Sequence, residues 1–474
     1  MKIRYNNVPI SLKKTVLTLL INKHIITLAK NALRRFPSVE DAIGVHIYGI
    51  KKILFYSHNK AYTCQVKISP DISAPDVLEK GLMIDISWLI LRDVHTGIQR
   101  VVWGLLQTLM TDPPEGYSVE PVYADIEGRL WYARLFTAKM SGKDTVGIQD
   151  AYVQFHPGDV FYCADLHLAY PFAALSNMKR YGVKIIFTVY DIVAMNKGHF
   201  SSPAITLAFT DWFTGVMSVT DAIVCDSRAV ADEVGVWLEG HSDLRNRSLP
   251  IGYFHLGADI EGSHPTQGVT GEGAEVLAAC HSRLTLLMVG TVEPRKGHAP
   301  ALEAVEALWK EGIHLNLVIV GKEGWRTQHL ARQLRRHPQR NKQLFWLEKA
   351  SDALLMQLYA QSTALLAASY AEGFGLPLIE AAHHGLPVIA RDIPVFHEVA
   401  GDFAFYFPNT DSAALADSLR HWLRLYAEGK APQSRDMPYL TWAQSTQQLL
   451  KVILENDWYT TYQPAETQVT TGTE

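Results

Sequence analysis

Two short segments combine charged side chains with glycines in a pattern suited to a phosphorylated ligand. In residues 290–297, Arg295 and Lys296 are adjacent cations that could grip a diphosphate, the arginine as a planar fork and the lysine as a point charge. In residues 371–380, a glycine turn precedes a helix whose free N–H groups favour an anion. Carboxylates stand on both sides of that turn, which favours a ligand with hydroxyls beside its phosphates, such as a sugar nucleotide.

The glycines and acids of these segments have separate predicted roles. Gly290 lets the chain leave its strand sharply. Gly373 and Gly375 expose the backbone amides of the turn, with Glu372 before it and Glu380 about one helical turn further on. Taken alone, the Arg–Lys pair could also be a solvated pair of loop charges, whereas the spacing of the two carboxylates is more specific.

A third segment, residues 93–101, opens the first long helix of the predicted body. Its Gly97 would allow a ligand or another part of the chain to approach closely, although an ordinary helix start capped by Thr96 explains the same pattern. The chain has no Asp-x-Asp pair, so we expect no metal to bridge a diphosphate and fixed cations to meet its charge. His383 and His384 lack metal-ligand spacing and are interpreted as packing or surface residues.

Alternating strands and helices must position these segments. The alternation predicts an α/β fold with two tandem doubly wound, Rossmann-like domains and an N-terminal helical extension. Ligands bind at the carboxyl ends of strands in such sheets, where all three segments lie. Apolar runs predict strands at 82–86, 159–164, 183–189 and 222–225 in the first half, and at 284–289, 315–320, 344–346, 364–367 and 387–390 in the second.

The domain boundaries follow from the same alternation. Residues 261–273, rich in Gly, Thr and Ser, are predicted to link the two domains. The predicted parts are a basic extension and linker (1–80), a first, acceptor domain (81–265), a second, nucleotide-sugar domain (275–410), helices packing back toward the first domain (411–460) and a disordered tail (463–474).

Composition excludes several classes of protein. The chain has 474 residues, is 48% apolar and 19% charged, and carries a net charge of −4, which excludes a disordered, collagen-like or coiled-coil protein. Its four scattered cysteines give neither a metal pair nor a disulfide framework and are typical of a reducing compartment. The first 35 residues carry eight Lys or Arg and no acid, so the remainder is acidic, which argues against nucleic acid as a partner.

Residues 13–35 have the pattern of a helix with a basic edge and a broad apolar side. Such a helix could pack on the body, or it could lie on an anionic membrane surface. The stretch is too short and too polar to span a bilayer, and no signal peptide is visible. We expect a cytoplasmic protein, located at the inner face of the cell membrane if this helix binds lipid.

The motifs Gly290…Glu-Pro-Arg-Lys-Gly297 and Glu372-Gly-Phe-Gly-Leu-Pro-Leu-Ile-Glu380 resemble those of the retaining glycosyltransferases of family 4. The resemblance covers about residues 80–455 and implies the GT-B architecture, in which two Rossmann-like domains face across a cleft. The run Thr-Gly-Ile-Gln-Arg-Val and the segment Val189-Tyr-Asp-Ile192 are most similar to bacterial O-antigen or capsule members, many of them mannosyltransferases.

The resemblance also implies roles for individual residues. Most relatives have His-Asp where this chain has Tyr190-Asp191, so the imidazole is missing and Asp191 is the candidate on the sugar or acceptor side. By this resemblance, Glu380 would bind the ribose hydroxyls of the donor, and Arg295 and Lys296 would bind its diphosphate. The transferred sugar would be bound by Glu372 and by the amides of Gly373, Phe374, Gly375 and Leu376. Gly97 would lie where the donor phosphates meet the first domain.

These observations predict a retaining, metal-independent hexosyltransferase that needs no cofactor. The predicted donor is GDP-mannose, and the predicted acceptor is a hydroxyl of a bacterial surface polysaccharide or its lipid-linked precursor. A rhamnosyl or other hexosyl donor, or a non-catalytic nucleotide-sugar-binding subunit, is the alternative. An NAD-dependent oxidoreductase is rejected because the first turn has one glycine instead of Gly-x-Gly-x-x-Gly.

Overall fold

The computed structural model describes residues 79–93, 95–125, 128–172, 175–408 and 410–464. The predicted basic helix at 13–35, the extension that contains it and the tail from residue 465 lie outside the described residues. The prediction of two parallel-sheet α/β domains is confirmed. Within the described part of the chain, no helix combines the length and the apolar composition needed to cross a bilayer.

The first domain contains a nine-stranded sheet. β1 pairs in parallel with β2 on one side and with β5 on the other, and β3 and β4 extend the sheet as short antiparallel strands. Its first eight strands are β1 (Lys80–Asp85), β2 (Tyr117–Ala124), β3 (Leu130–Tyr132), β4 (Ala151–Tyr152), β5 (Val160–Cys163), β6 (Lys184–Val189), β7 (Ala222–Cys225) and β8 (Leu249–Tyr253). Its helices are α1 (Ser87–Leu91), α2 (Gly97–Thr111), α3 (Arg134–Met140), α4 (Leu175–Arg180), α5 (Val193–Asn196), α6 (Pro203–Val219) and α7 (Arg228–Glu239).

The second domain is built on six parallel strands in the order β11-β10-β9-β12-β13-β14, the doubly wound arrangement. The strands are β9 (Thr285–Val289), β10 (Asn316–Val320), β11 (Leu344–Leu347), β12 (Ala364–Ala367), β13 (Val388–Arg391) and β14 (Ala404–Phe407). The helices are α8 (Gly271–Ser282), α9 (His298–Lys310), α10 (Gln328–Arg336), α11 (Asp352–Gln361), α12 (Leu376–His383), α13 (Pro394–Ala400) and α14 (Ser412–Ala427).

The central strands of both sheets are packed on both faces, which explains their apolar runs. In β1, Leu82 and Ile84 belong to a core that continues into the second domain, while Met83 belongs to a separate core on the opposite face. Side chains alternate between the faces of a strand, so a strand covered on both sides buries all of its side chains, including polar ones such as Asp85, Thr285 and Asn316.

The chain then returns to the first domain. α14 packs on α9 within the second domain, but α15 (Trp442–Glu455) packs on α2, where Trp442 lies directly against Gly104. The last strand, β15 (Thr460–Tyr462), pairs with β8 and completes the first sheet.

The two connections between the domains lie side by side. Gly257 and Leu440 form a parallel bridge, and the N–H of Ala258 donates to the carbonyl of Leu440 at 2.8 Å. The carboxylate of Asp259 accepts the N–H of Trp442 at 2.7 Å. The chain therefore crosses between the domains twice at one place.

Two predicted elements differ from the structure. The helix predicted over 171–181 is confined to α4. The linker predicted over 261–273 is ordered at both ends, with a 3₁₀ turn at Ile260–Ser263 and with α8 starting at Gly271. α8 can start early because the hydroxyl of Thr270 accepts the N–H of Gly273 at 3.2 Å and caps the helix.

Candidate functional site

The candidate site lies between β9 and β12, where the strand order of the second sheet reverses. Crevices at such switch points are the usual ligand sites of doubly wound sheets. A small pocket opens there. The residues around it include Lys296, His298, Ser369, Glu372, Gly375 and Phe396.

Arg295, Lys296 and Glu372 lie together beside this pocket, which Lys296 and Glu372 line. One guanidinium nitrogen of Arg295 donates to Glu372 Oε2 at 2.7 Å and to the carbonyl of Ala371 at 3.0 Å. Lys296 Nζ donates to the other oxygen, Glu372 Oε1, and its side chain lies over Gly290. The two cations are therefore held by one carboxylate of the neighbouring loop.

The charges of this cluster stabilise one another. Burial raises the pKa of Glu372. The positive charges of Lys296 and Arg295 lower this pKa by more than burial raises it, so the pKa is about 2. Burial lowers the pKa of Arg295, but Glu372 and Asp191 raise it by more. Glu372 and Arg295 are therefore ionised at neutral pH, and Glu372 lines the pocket together with Lys296.

The loop after Glu372 touches the first domain directly. A side chain at Gly373 would lie 1.9 Å from the carbonyl oxygen of Tyr190, so glycine is required at this close approach. The hydroxyl of Ser227 donates to the carbonyl of Gly373 at 2.6 Å. Asp226, beside Ser227, is 4% exposed and its Oδ1 has no hydrogen-bond partner. The glycine turn thus closes the cleft against the ends of β6 and β7.

The turn ends at the start of α12. Gly375 is the N-cap of this helix and has φ 101°, a left-handed conformation that favours glycine. Leu376 is the first helical residue and lies opposite Gly97, whose Cβ would be 3.6 Å from the Leu376 side chain. The neighbouring Phe374 is buried, with its ring 5.4 Å from that of His255. The structure therefore brings the third motif to the N-terminus of α12.

Glu380 is buried and engaged on both oxygens. Arg100 from α2 donates to Glu380 Oε1, and the hydroxyl of Tyr359 donates to Oε2 at 2.6 Å. The same guanidinium binds Asp352, which in turn accepts the N–H of Thr266 at 2.9 Å. Unlike Glu372, the second carboxylate of the motif is therefore part of a salt bridge between the domains.

The Tyr190-Asp191 pair lies at the end of β6. The hydroxyl of Tyr190 donates to the carbonyl of Ala164 at 2.6 Å, so the Tyr190 side chain is hydrogen-bonded within the first domain. Asp191 Oδ1 accepts the N–H of Val193 at 3.1 Å, and its charge acts on Arg295 across the cleft. Asp191 thus acts on Arg295 from the first domain.

Sequence reasoning did not assign several residues at this site. Arg100 belongs to the third motif. The one sign of a role in the sequence is its positive charge, three residues after Gly97. His298 lines the pocket, and burial lowers its pKa to about 3, so it is neutral. Glu398 accepts the N–H groups of Arg228 and Ala229 at 2.7 and 2.8 Å and so joins α13 to the start of α7.

A metal centre is not apparent at this site. Among the residues that the structure describes, no three His, Cys, Asp or Glu side chains are grouped so that they could hold a metal ion. The groups that could bind an anionic ligand are Arg295, Lys296 and the N–H of Leu376, the first residue of α12. Pro377 has no N–H, and the N–H of Leu378 donates to the carbonyl of Gly375 at 2.9 Å.

Residues 275–435 match the family described as glycosyl transferases group 1. Among curated proteins, the chain is 41% identical over 379 residues to the serotype-specific mannosyltransferase WbdA of Escherichia coli, an alignment that covers 78% of this chain and 46% of that protein. It is also 33% identical over 131 residues to the O-antigen chain mannosyltransferase B of Escherichia coli, covering 27% of this chain and 34% of that protein. The chain spans just under half the length of WbdA.

Solved structures share the fold. The catalytic domain of starch synthase IV from Arabidopsis thaliana, bound to ADP and acarbose, superposes with a TM-score of 0.52 and 15% identity, over 79% of this chain and 99% of that one. Anabaena HepE in complex with UDP and glucose gives 0.51 and 14% over the same shares. The family resemblance indicated by the two motifs is confirmed: this chain carries a glycosyl transferases group 1 domain at residues 275–435, within a two-domain GT-B fold.

Proposed function

We propose that this chain is a retaining glycosyltransferase that moves mannose from GDP-mannose to a hydroxyl of a bacterial surface polysaccharide or of its lipid-linked precursor. The observation that supports it best is the cluster of Arg295, Lys296 and Glu372 at the switch point of the second sheet. The names of the similar curated proteins, a serotype-specific mannosyltransferase and an O-antigen chain mannosyltransferase, support the choice of sugar and acceptor.

In this proposal the second domain holds the donor. Arg295 and Lys296 bind the diphosphate, together with the N–H of Leu376 at the start of α12. Glu372 and the amides of the glycine turn bind the hydroxyls of the transferred sugar. Glu380 takes the ribose hydroxyls, and Gly97 lies where the donor phosphates meet the first domain.

The chemistry proposed is a transfer with retention of configuration and without a metal. The bond between the sugar and the diphosphate breaks while the acceptor oxygen attacks from the same face. The leaving diphosphate oxygen takes the proton of the acceptor hydroxyl, so no separate base is needed. Arg295 and Lys296 are already in place for the charge that grows on the leaving group, and such preorganised charges lower the barrier.

The first domain would hold the acceptor near Asp191. This carboxylate lies across the cleft from Arg295, and the side chain of Tyr190 is turned away into the sheet. A hydroxyl that approaches the sugar from the first domain would therefore meet Asp191, the only one of the two residues with its polar group outside that sheet.

We also propose that the protein works in the cytoplasm, at the inner face of the membrane, through its basic N-terminal segment. Residues 13–35 combine cations with an apolar side, the composition that holds a helix on an anionic surface. A lipid-linked acceptor would be presented at that same surface.

A thermal-shift screen of nucleotide sugars followed by a transfer assay tests the proposal. A ligand that binds only the folded chain raises its stability with occupancy, so GDP-mannose should raise Tm more than UDP-glucose or dTDP-rhamnose. Radiolabelled mannose should then appear in the acceptor with its anomeric configuration retained. A shift by another nucleotide sugar alone, or an inverted product, would contradict the assignment of donor or mechanism.

A non-catalytic nucleotide-sugar-binding subunit is the second candidate, favoured by one observation. The usual histidine is replaced by Tyr190, whose hydroxyl is committed to Ala164. Such a subunit would bind GDP-mannose without releasing GDP. Slow hydrolysis of the donor in the absence of acceptor distinguishes an active enzyme from it.

A further inference from the structure

Three aromatic residues form a row across the outer strands of the first sheet. Tyr123 in β2 is paired with Trp131 in β3, and Trp131 is paired with Tyr152 in β4. Directly paired residues point to the same face of a sheet, so the three side chains lie side by side. The rings of Trp131 and Tyr152 are 4.1 Å apart, and Tyr152 is 37% exposed. We refer to Tyr123, Trp131 and Tyr152 as the aromatic row.

Polar contacts hold the aromatic row in place. Asp125 Oδ2 accepts the indole N–H of Trp131 at 2.9 Å and Nε of Arg129 at 2.7 Å. The guanidinium of Arg129 lies 5.8 Å from the Trp131 ring and 5.7 Å from the Tyr152 ring. Fixed rings lose little conformational entropy when a ligand binds to them, so the row is preorganised for contact.

The aromatic row lies at the cleft edge of the sheet. Tyr123 is the penultimate residue of β2 and Tyr152 the last of β4, and both strands run parallel to β1, whose carboxyl end leads to the third motif. β2 and β4 are three and five strands away from β6, which ends at Asp191. At 4.7–4.9 Å between strands, the row lies roughly 14 to 24 Å from Asp191 along the edge of the first domain.

We propose that the aromatic row binds the growing polysaccharide several sugar units behind the hydroxyl that is extended. This inference rests on the proposed function, in which the first domain holds the acceptor. A pyranose ring has an apolar C–H face that covers an aromatic ring and a rim of hydroxyls that hydrogen-bond to charged groups. A narrow row of rings flanked by Asp125 and Arg129 matches both features.

Other occupants match this surface less well. A lipid chain or a membrane would require a continuous apolar patch, but charged groups border the row. A second protein would bury a larger area than one line of three residues provides. The distance from Asp191 further implies that only a long acceptor reaches both places, which makes the proposal specific.

Acceptor length therefore tests the proposal. With GDP-mannose as donor, the full chain and its Tyr152→Ala and Trp131→Ala variants are assayed with α-linked mannobiose and mannooctaose. We expect KM for mannooctaose to rise about tenfold in both variants, the loss of roughly one aromatic contact. KM for mannobiose and kcat should stay unchanged. Tyr426→Ala, which removes an exposed aromatic on α14 of the second domain, is the matched control.

Binding of mannooctaose without donor is measured by calorimetry in parallel. If no nucleotide sugar supports transfer but Tyr152→Ala still weakens mannooctaose binding, the proposed function is wrong and the aromatic row is supported. If KM rises equally for both acceptors, or the wild type binds mannooctaose no better than mannobiose, the aromatic row does not bind the polymer. If the Trp131→Ala variant does not fold, the Tyr152→Ala variant alone tests the proposal, because Tyr152 is exposed.

Discussion

Arg100 of the first domain and Glu380 of the second form an ion pair across the cleft. The same guanidinium binds Asp352, and Tyr359 occupies the other oxygen of Glu380. Burial lowers the pKa of Arg100, but Glu380 and Asp352 raise it by more, so the guanidinium remains charged. A ribose that uses Glu380 must therefore compete with Arg100 or Tyr359 for its oxygens, and competition with Arg100 would weaken this contact between the domains.

Replacing Glu380 tests its role in donor binding. Glu380→Ala should weaken binding of GDP-mannose by about 1.5–3 kcal/mol, the usual cost of a hydrogen bond to a charged group, without unfolding the chain. Calorimetry measures the affinity, and circular dichroism confirms the fold. Unchanged affinity would remove Glu380 from the donor site.

Asp352→Asn supplies the matched control, because Asp352 shares Arg100 with Glu380. This variant should lower stability by an amount similar to that of Glu380→Ala but leave donor affinity unchanged. Arg100→Gln frees Glu380 and should maintain or increase the affinity. A loss in Arg100→Gln as large as in Glu380→Ala would instead place Arg100 in direct contact with the donor.

Arg295 and Lys296 should matter more for turnover than for binding. The charge on the diphosphate grows as the glycosidic bond breaks, so these cations contribute most in the transition state. Lys296→Ala should lower kcat by about 10²–10³, and Arg295→Lys should also be impaired because the planar fork is lost. Steady-state kinetics at saturating donor decide the point. Near-normal kcat in both variants would mean that other groups hold the diphosphate.

Chelation tests the proposed independence from metal. EDTA should leave most of the transfer activity, since Arg295, Lys296 and the N–H of Leu376 meet the phosphate charge. The measurement is the initial rate before and after dialysis against EDTA. Complete loss of activity that Mn²⁺ or Mg²⁺ restores would show that a metal bridges the diphosphate.

Glu372 should give stability a defined dependence on pH. Lys296 and Arg295 outweigh the effect of burial and lower its pKa from 4.5 to about 2. A carboxyl with a lowered pKa stabilises the fold above its unfolded value, and this contribution is lost as pH falls through the folded value. The difference in unfolding free energy between wild type and Glu372→Gln should be largest above about pH 4.5 and shrink toward pH 2. Urea titrations at several pH values measure it, and a constant difference would contradict the ion pairing.

Deleting residues 1–35 tests the proposed membrane contact. Each Lys or Arg near an anionic surface contributes about 1 kcal/mol, so the full chain should sediment with anionic vesicles at low salt and be released at high salt. The shortened chain should stay in the supernatant and still bind GDP-mannose. If neither form sediments at low salt, the segment does not bind membrane.

The strands were predictable where both faces of the sheet are covered. β1 is apolar from Leu82 to Ile84, and β9 is apolar from Leu286 to Val289, because side chains on both faces are buried there. β3 and β4 have only three and two residues, too few to establish a period, and β15 exposes both of its threonines. Short or exposed strands carry little hydrophobic signal, so the sequence did not reveal the outer part of the first sheet.

The sequence predicts those parts of the site whose residues lie close together along the chain. Arg295 with Lys296, and Glu372 with the glycine turn, are each encoded within a few residues that follow one strand. Arg100 and Glu380 are 280 residues apart, and their contact depends on how the two domains meet. No spacing within a motif could show that Glu380, unlike Glu372, already has a partner from the other domain.

The paired connections at Gly257 and Leu440 determine how the cleft can open. The two connecting segments are hydrogen-bonded to each other and act as a single hinge. The domains can rotate about this hinge, but they cannot separate there without breaking the bridge. During such a rotation, a contact close to the hinge changes little, while a contact far from it opens widely. The cleft therefore opens most at the side that lies farthest from Gly257 and Leu440.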